Sequence, residues 1–252
     1  MAKLLITILF MVSFSGMAAT DEINVFMAGD STMSIKQVKA FPETGWGMPF
    51  SLFFDESVTV INRAKNGRST RTFISEGLWE SITSELKEGD YVVIQFGHND
   101  QSKKKVDRYT SPEQYTENLM NFITQVRAKK AHPLLMTPVT RRYFDEAGNI
   151  KQTHPIYSDL VRDVAAKTKV DFIDMDSVTR EYFQAMGDEN SRLRYMQLEA
   201  NVHPNYPKGV DDNTHFNELG AREVAQLVLA QMRKINHHLV NKLRVPDPKH
   251  LK

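Results

Sequence analysis

Short apolar segments alternate with amphipathic segments along most of this 252-residue chain. The apolar segments are rich in β-branched and aromatic residues and span residues 23–28, 57–62, 91–96, 133–139 and 170–173. Each is nearly continuous in apolar character, which is typical of parallel strands that are buried on both faces. This alternation is the feature that most restricts the possible folds.

The clearest helix is predicted over residues 111–130. Ser111 is a favourable N-cap, Pro112 suits the first helical position, and Gln114 is placed to complete a capping box. Apolar residues then recur at helical spacing, at Leu119, Phe122, Ile123 and Val126. The pattern therefore predicts an amphipathic helix between the third and fourth strands.

Two further helices are expected over residues 156–166 and 218–239. Strands that alternate with helices favour a doubly wound α/β fold, with a parallel sheet and helices on both of its faces. A chain with 41% hydrophobic residues and no linker-like or repeated segment is expected to form one large domain. In such folds, ligands bind beyond the carboxyl ends of the strands.

The first twenty residues have the layout of a secretory signal peptide. Lys3 precedes an apolar run, and small residues follow it at Gly16, Ala18 and Ala19. A membrane anchor is the alternative, but it needs about 20 unbroken apolar residues. We therefore predict a signal peptide (1–20), a domain (21–243) and a C-terminal tail (244–252), with export to a bacterial periplasm or medium and no membrane attachment after cleavage.

Composition excludes several classes of function. The chain has no Cys, so disulfides, thiolate metal sites and a cysteine nucleophile are ruled out. Without Lys3 of the leader, 31 basic residues balance 31 acidic ones, which argues against a nucleic-acid partner. Neither a dinucleotide fingerprint nor a phosphate-binding loop follows the first strand, and no closely spaced His pair indicates a metal. We expect no cofactor and no metal.

Polar motifs follow the predicted strands. The first strand ends in Gly-Asp-Ser-Thr (29–32), the second in a polar loop that contains Gly67, and the third in Gly-His-Asn-Asp (97–100). Near the last helix, Asp212 precedes His215 by three residues. Each motif alone has a plain structural explanation, since Ser31 or Asp212 could cap a helix and Asn99 could stabilise a turn. Four such motifs at strand or helix ends favour an active site.

These four motifs resemble the conserved blocks of the SGNH (GDSL) hydrolases. The segments GDSTM, NRAKNGRSTRTF, QFGHND and DNTHFNELGA are most similar to rhamnogalacturonan acetylesterases, and the resemblance covers nearly the whole mature chain. It implies a three-layer α/β/α sandwich with a parallel, flavodoxin-like sheet, in agreement with the periodicity. It also implies that the chain is a carboxylic ester hydrolase that acts on acetylated pectin.

The chemistry of ester hydrolysis explains the residue types in these motifs. A serine hydroxyl needs a base, and His215 is the candidate to activate Ser31, with Asp212 as the carboxylate that orients the imidazole. Negative charge on the carbonyl oxygen needs fixed donors, which the resemblance assigns to the Ser31 N–H, the Gly67 N–H and the Asn99 amide. His98 is expected to support the site rather than act as the base.

Basic residues are concentrated in the loops at the strand ends. They are Arg63, Lys65, Arg68 and Arg71 after the second strand and Arg141 and Arg142 after the fourth. They predict a cationic rim that binds an acidic polysaccharide, with Arg68, Arg141 and Arg142 as substrate-binding residues; a solvated charged surface is the alternative. His154 is a further candidate for lining the cleft, whereas Trp46 is expected to pack under the sheet.

Other functions remain open at this level. The chain could act on xylan or other acetylated sugars, or as a lipase-like GDSL esterase, although a lipase would need a long apolar pocket. A carbohydrate-binding module without catalysis is the alternative from another class. We expect the protein to act as a monomer.

Overall fold

The computed structural model describes residues 22–245. The predicted signal peptide and most of the predicted C-terminal tail lie outside these residues. Five parallel strands form the central sheet, in the order β2-β1-β3-β4-β5. The strands are β1 (Ile23–Gly29), β2 (Val58–Asn62), β3 (Tyr91–Gln95), β4 (His132–Met136) and β5 (Asp171–Ile173). This is the flavodoxin-like order, so the predicted fold class is confirmed.

Helices cover both faces of the sheet. They are α1 (Gly47–Phe50), α2 (Thr70–Ser75), α3 (Leu78–Glu85), α4 (Pro112–Ala128), α5 (Pro155–Thr168), α6 (Met175–Arg192) and α7 (Glu218–Lys234). Along β1, Val25 and Met27 enter one buried cluster and Phe26 and Ala28 enter the other, because successive side chains point to opposite faces of a strand. The first cluster lies under α1, α6 and α7, and the second lies under α2 to α5. The result is three layers.

The helix predicted from residue 111 begins as expected. Ser111 Oγ accepts a hydrogen bond from the Gln114 N–H at 3.2 Å, and Pro112 is the first helical residue. The Gln114 side chain makes no return bond to Ser111, so the capping box is only half formed. A reciprocal capping box is found instead at the start of α2, between Ser69 and Thr72.

The last helix is shorter than predicted. It ends at Lys234 rather than near residue 239, because Asn236 takes a left-handed conformation with φ of 51°. The His237 N–H then bonds to the Met232 carbonyl oxygen at 2.9 Å, which closes the end of the helix. The His237 ring is buried beyond the helix rather than placed in its last turn.

An antiparallel ribbon stands apart from the main sheet. Strand β6 (Tyr195–Leu198) pairs with β7 (Val210–Phe216), and the Asp212–His215 motif lies within β7. The sequence analysis predicted no strand here, since DDNTH carries few apolar residues. The last helix is capped by Asn217, whose side chain accepts from the Gly220 N–H at 3.0 Å, so Asp212 is not its cap.

The topology fixes where a ligand can bind. From β1 the chain passes to β2 on one side, and it then crosses to β3 on the other side of β1. The carboxyl end of β1 is therefore the topological switch point of the sheet, where α/β folds form a crevice. Ser31 lies two residues beyond this end.

Candidate active site

Ser31, His215 and Asp212 form one hydrogen-bonded chain. Ser31 Oγ lies 2.8 Å from His215 Nε2, and His215 Nδ1 lies 2.7 Å from Asp212 Oδ2. The other carboxylate oxygen of Asp212 accepts from the backbone N–H groups of Thr214 and His215 at 2.7 and 3.1 Å. The sequence motifs are thus brought together in the geometry of a nucleophile, a base and an orienting carboxylate.

The environment keeps Asp212 ionised. Burial opposes the charge, but the hydrogen bonds from the His215 ring and from the two backbone N–H groups outweigh it, and the pKa of Asp212 is lowered. An ionised carboxylate at Nδ1 holds that nitrogen as a donor, which leaves Nε2 free to accept the Ser31 proton.

Ser31 sits in a turn and not at the start of a helix. Asp30 Oδ1 accepts from both the N–H and the hydroxyl of Thr32, each at 2.9 Å, so it forms an Asx turn directly around the serine. The Ser34 N–H closes the turn by bonding to the Asp30 carbonyl oxygen at 3.0 Å. The alternative that Ser31 caps a following helix is wrong.

A buried lysine connects this turn to the loop after β2. Lys36 Nζ donates to the Ser31 carbonyl oxygen at 2.6 Å and to Asn66 Oδ1 at 2.7 Å, and it pairs with Glu43 at 2.7 Å. Burial lowers the pKa of Lys36, and the Glu43 carboxylate opposes that effect. This residue places Gly67, the neighbour of Asn66, beside the nucleophile turn. No pattern in the sequence indicated this role of Lys36.

Gly67 has a left-handed backbone conformation, with φ of +76°, that residues other than glycine rarely adopt. Asn99 lies on the loop after β3, and its Nδ2 donates to the Arg68 carbonyl oxygen at 3.0 Å. The second and third motifs are therefore joined at the residues that were predicted to bind the oxyanion. One N–H of the Asn99 amide remains beyond this bond.

Asp100 also connects the loop after β3 to the loop after β2. Its Oδ1 accepts from the Thr70 N–H at 2.8 Å and from the Thr70 hydroxyl at 2.6 Å, at the start of α2. The side chain is fully buried. Burial raises the pKa of Asp100 to about 6, although the bonds from Thr70 oppose the shift.

His98 lies behind the turn that carries Ser31. Its Nδ1 is 3.2 Å from Asp30 Oδ2, and both side chains are almost completely buried. Burial lowers the pKa of His98, and Asp30 partly compensates. His154 packs edge-on against His98 at a ring-centroid distance of 4.2 Å and is 0% exposed. The prediction that His154 lines the cleft is therefore wrong, because His98 covers it.

Trp46 is also fully buried. Its indole N–H donates to Gln95 Oε1 at 2.9 Å, and its ring packs edge-on against Phe50. The expectation that it packs under the sheet is confirmed.

Most of the predicted basic rim is neutralised by carboxylates. Arg63 pairs with Glu85 at 2.6 Å and Arg142 pairs with Asp188. Arg68 and Lys65 share Glu76, at 2.8 and 3.6 Å. Arg71 donates to the Val106 carbonyl oxygen at 2.6 Å and so holds a loop. Arg68 and Arg142 each have a carboxylate partner, so the net charge of the rim is lower than the sequence indicated, and their role in substrate binding stays a prediction.

Arg141, like Arg71, has no carboxylate partner within 4 Å among residues 22–245. It donates to the His98 carbonyl oxygen at 3.3 Å, and burial lowers its pKa while Asp30 and Asp212 oppose that effect. It lines a polar cavity of about 340 Å³ beside the active site. The other lining residues are His98, Gln101, Ser102, Lys103 and Lys104. The adjacent Lys103 and Lys104 were the missed indication of this basic pocket.

Neither a metal-binding cluster nor a membrane-spanning helix is found in the described part of the chain. Within residues 22–245, no group of three or more His, Asp or Glu side chains is arranged to hold a metal ion. No helix in this same range is long and apolar enough to cross a membrane.

Sequence comparison places the chain beside known hydrolases. Residues 28–222 match the family model described as the GDSL-like lipase/acylhydrolase family. The chain is 41% identical over 224 residues to the rhamnogalacturonan acetylesterase RhgT of Bacillus subtilis (strain 168), which covers 87% of this chain and 95% of the relative. It is 28% identical over 225 residues to a rhamnogalacturonan acetylesterase of Emericella nidulans, covering 81% and 82%.

Structural comparison agrees with the fold. The crystal structure of YxiM from Bacillus subtilis superposes with a TM-score of 0.74 at 26% identity, covering 86% of this chain and 57% of that protein. An acetyl-xylooligosaccharide esterase, Axe2 from Geobacillus, superposes with a TM-score of 0.60 at 17% identity, covering 83% and 94%. At that identity the second similarity concerns the fold alone.

Proposed function

The chain belongs to the GDSL-like lipase/acylhydrolase family and is a carboxylic ester hydrolase, and from this premise we propose that it removes acetyl groups from an acidic polysaccharide of the rhamnogalacturonan type. Ser31 is the proposed nucleophile, His215 the base and Asp212 the orienting carboxylate. The observation that carries the proposal is the continuous chain of contacts from Ser31 Oγ through the His215 ring to Asp212, at 2.8 and 2.7 Å.

The proposed reaction has two stages. Ser31 Oγ attacks the acetyl carbonyl carbon while His215 Nε2 takes the hydroxyl proton; the tetrahedral intermediate then collapses as His215 returns that proton to the departing sugar hydroxyl. Water, deprotonated by His215, attacks the acetyl-serine and releases acetate, and the proton returns to Ser31. Asp212 stays ionised and stabilises the imidazolium in both stages.

The proposed oxyanion hole consists of the Ser31 N–H, the Gly67 N–H and the remaining N–H of Asn99. Lys36 and Asp100 support this assignment, because they hold the three loops against one another. Donors that are fixed before reaction need no reorganisation in the transition state, and each contributes about 3 kcal/mol in well-studied hydrolases.

The acidic substrate is supported by the polar pocket beside the nucleophile. Arg141, Lys103 and Lys104 have no carboxylate partner within 4 Å among residues 22–245, in contrast to the ion-paired residues of the predicted rim. Carboxylates on a galacturonate chain suit such a pocket. A long acyl chain does not, since every lining side chain is polar or charged.

Export remains part of the proposal. Residues 1–20 have the order of a charged, an apolar and a small-residue region, and an acetylated plant polymer is encountered outside the cell. We propose a periplasmic or secreted protein.

Acetate release from a panel of acetylated polysaccharides tests the proposal, with Ser31→Ala as the blank. The expected result is faster release from acetylated rhamnogalacturonan than from acetylated xylan. Preference for xylan would replace the acidic substrate with a neutral one. No hydrolysis and no labelling by a fluorophosphonate would favour a carbohydrate-binding module instead.

A further inference from the structure

One guanidinium bonds to Asn99 and lies next to Gly67, the two residues of the proposed oxyanion hole outside the turn that carries Ser31. Arg108 Nη1 donates to Asn99 Oδ1 at 3.4 Å. The same nitrogen would lie 2.8 Å from a Cβ atom built on Gly67, closer than any ordinary contact. Gly67 therefore has a second reason to be glycine, because any side chain would displace Arg108.

The segment that carries Arg108 is anchored to the same site. The Thr110 N–H bonds to the Asp100 carbonyl oxygen at 3.0 Å, directly after Asn99. Earlier in the segment, the Arg71 side chain donates to the Val106 carbonyl oxygen at 2.6 Å. The Arg108 side chain is only 28% exposed, and its Nε lies 3.5 Å from the Asp107 carboxylate. It is thus held in place rather than free in solvent.

We propose that Arg108 is a positioning residue that orients and polarises the Asn99 amide for oxyanion binding. This inference rests on the proposed esterase function. Asn99 has its oxygen held by Arg108 and one N–H held by the Arg68 carbonyl oxygen, so the amide plane is fixed at both ends. The direction of the remaining amide N–H of Asn99 is therefore fixed by the protein before a substrate binds.

The charge adds a second effect. A cation at the oxygen end of an amide strengthens the amide dipole and makes its N–H a better donor, since hydrogen bonds in series polarise one another where water is excluded. The donated bond becomes stronger when the carbonyl oxygen of the ester gains negative charge. Arg108 therefore contributes to the transition state more than to substrate binding, and the effect does not require a charged substrate.

The competing role for Arg108 is direct binding of a substrate carboxylate. The two roles differ in what they change. A carboxylate contact would raise KM for an acidic oligosaccharide and leave a neutral ester unaffected. Positioning of Asn99 lowers kcat for every ester, including 4-nitrophenyl acetate.

The test compares Arg108→Ala and Arg108→Lys with Lys105→Ala, which removes one exposed positive charge from the same segment. With 4-nitrophenyl acetate, we expect Arg108→Ala to lower kcat about tenfold to a hundredfold, less than the 10²- to 10³-fold loss typical of deleting a donor itself, with KM within about threefold. Arg108→Lys keeps the charge and is expected to retain more activity. Lys105→Ala is expected to match the wild type.

A double-mutant cycle gives the decisive measurement. If Arg108 acts through Asn99, Arg108→Ala has little further effect in an Asn99→Ala background. Fully additive losses, or a loss confined to KM for acidic substrates, would overturn the inference.

The rate of inactivation by a fluorophosphonate provides a readout that needs no acetylated substrate. We expect Arg108→Ala to slow it and Lys105→Ala to leave it unchanged. Equal rates for Arg108→Ala and wild type would overturn the positioning role even if the proposed polysaccharide proved wrong. Failure of the proposed substrate would appear separately, as the absence of acetate release by the wild type.

Discussion

His215 Nε2 lies 2.8 Å from Ser31 Oγ, although 184 positions separate the two residues in the chain. The serine follows the first strand of the main sheet, and the histidine lies on a separate ribbon. The ribbon holds the His215 imidazole over the switch point of the sheet. The two side chains are therefore held by different parts of the fold. Either residue can be substituted without altering the element that carries the other.

Replacing either residue is expected to abolish esterase activity. Ser31→Ala and His215→Ala each remove a group that acts with the other, so each should cost roughly a millionfold in kcat, and the double variant should be no worse. The measurement is hydrolysis of 4-nitrophenyl acetate, with circular dichroism as the control for folding. Residual turnover above about one per cent in a folded Ser31→Ala protein would contradict the nucleophile assignment.

Asp212→Asn is expected to be less severe than His215→Ala. An amide cannot stabilise the imidazolium and favours the wrong tautomer, which costs about 10⁴-fold where it has been measured in serine hydrolases. Water and the fixed ribbon leave part of the orientation intact. Steady-state kinetics of the two variants at the same pH provide the comparison. A silent Asp212→Asn change would show that His215 acts as part of a dyad.

Asp100 is expected to make stability depend on pH. Its pKa in the folded protein is raised to about 6, above the unfolded value of 3.8, so its contribution is fully present below about pH 4 and is lost as pH rises through 6. Asp100→Asn stays neutral throughout and keeps an oxygen to accept from Thr70.

The difference in the free energy of unfolding, Asp100→Asn minus wild type, should therefore increase by about 1–3 kcal/mol as the pH rises from 4 to 8. Urea denaturation of both proteins across this range measures the difference. Taking the difference removes the opposite contributions of His98 and His154, whose pKa values burial lowers. Parallel curves for the two proteins would mean that Asp100 stays ionised in the fold.

Charge reversal in the polar pocket is expected to affect only acidic substrates. Lys103→Glu with Lys104→Glu should raise KM for an acidic oligosaccharide about threefold to tenfold at low salt, since exposed pairs contribute about 0–1 kcal/mol each. Turnover of 4-nitrophenyl acetate should change little. Added salt should weaken wild-type binding of the acidic substrate, because charges are screened over about 8 Å at physiological ionic strength.

The matched control for this experiment is Lys129→Glu with Lys167→Glu. These exposed lysines lie at the carboxyl ends of α4 and α5, and helices of a parallel α/β fold end at the sheet edge opposite the active site. The net charge is the same in both double variants. If both raise KM equally, the effect comes from overall charge and not from the pocket.

Removal of metals is expected to leave the reaction unchanged. Within residues 22–245, no set of three acidic or histidine side chains is arranged as a metal site. Hydrolysis of 4-nitrophenyl acetate after prolonged dialysis against EDTA is the measurement. A rate that falls and is restored by zinc or manganese would move the assignment to a metal-dependent hydrolase.

The sequence by itself determined the order of strands and helices in the sandwich. Buried parallel strands must be continuously apolar and α4 must present one apolar stripe, and both constraints are local and visible in the residues. Ser31, Gly67, Asn99 and the Asp212–His215 pair were predicted because ester chemistry needs their residue types and because they match the motifs of a known family. The ribbon β6–β7 was missed, since its polar residues serve the site rather than the core.

The tertiary structure alone decided which charged and polar residues contact one another and which are buried. Arg63, Arg68 and Arg142 look alike in the sequence, yet each pairs with a carboxylate 8 to 46 positions away. His154 lies under His98, and Lys36 and Arg108 reach the oxyanion loops from other segments. These contacts depend on which loops lie side by side at the carboxyl edge of the sheet. A local sequence pattern carries no information about which distant segments become neighbours in space.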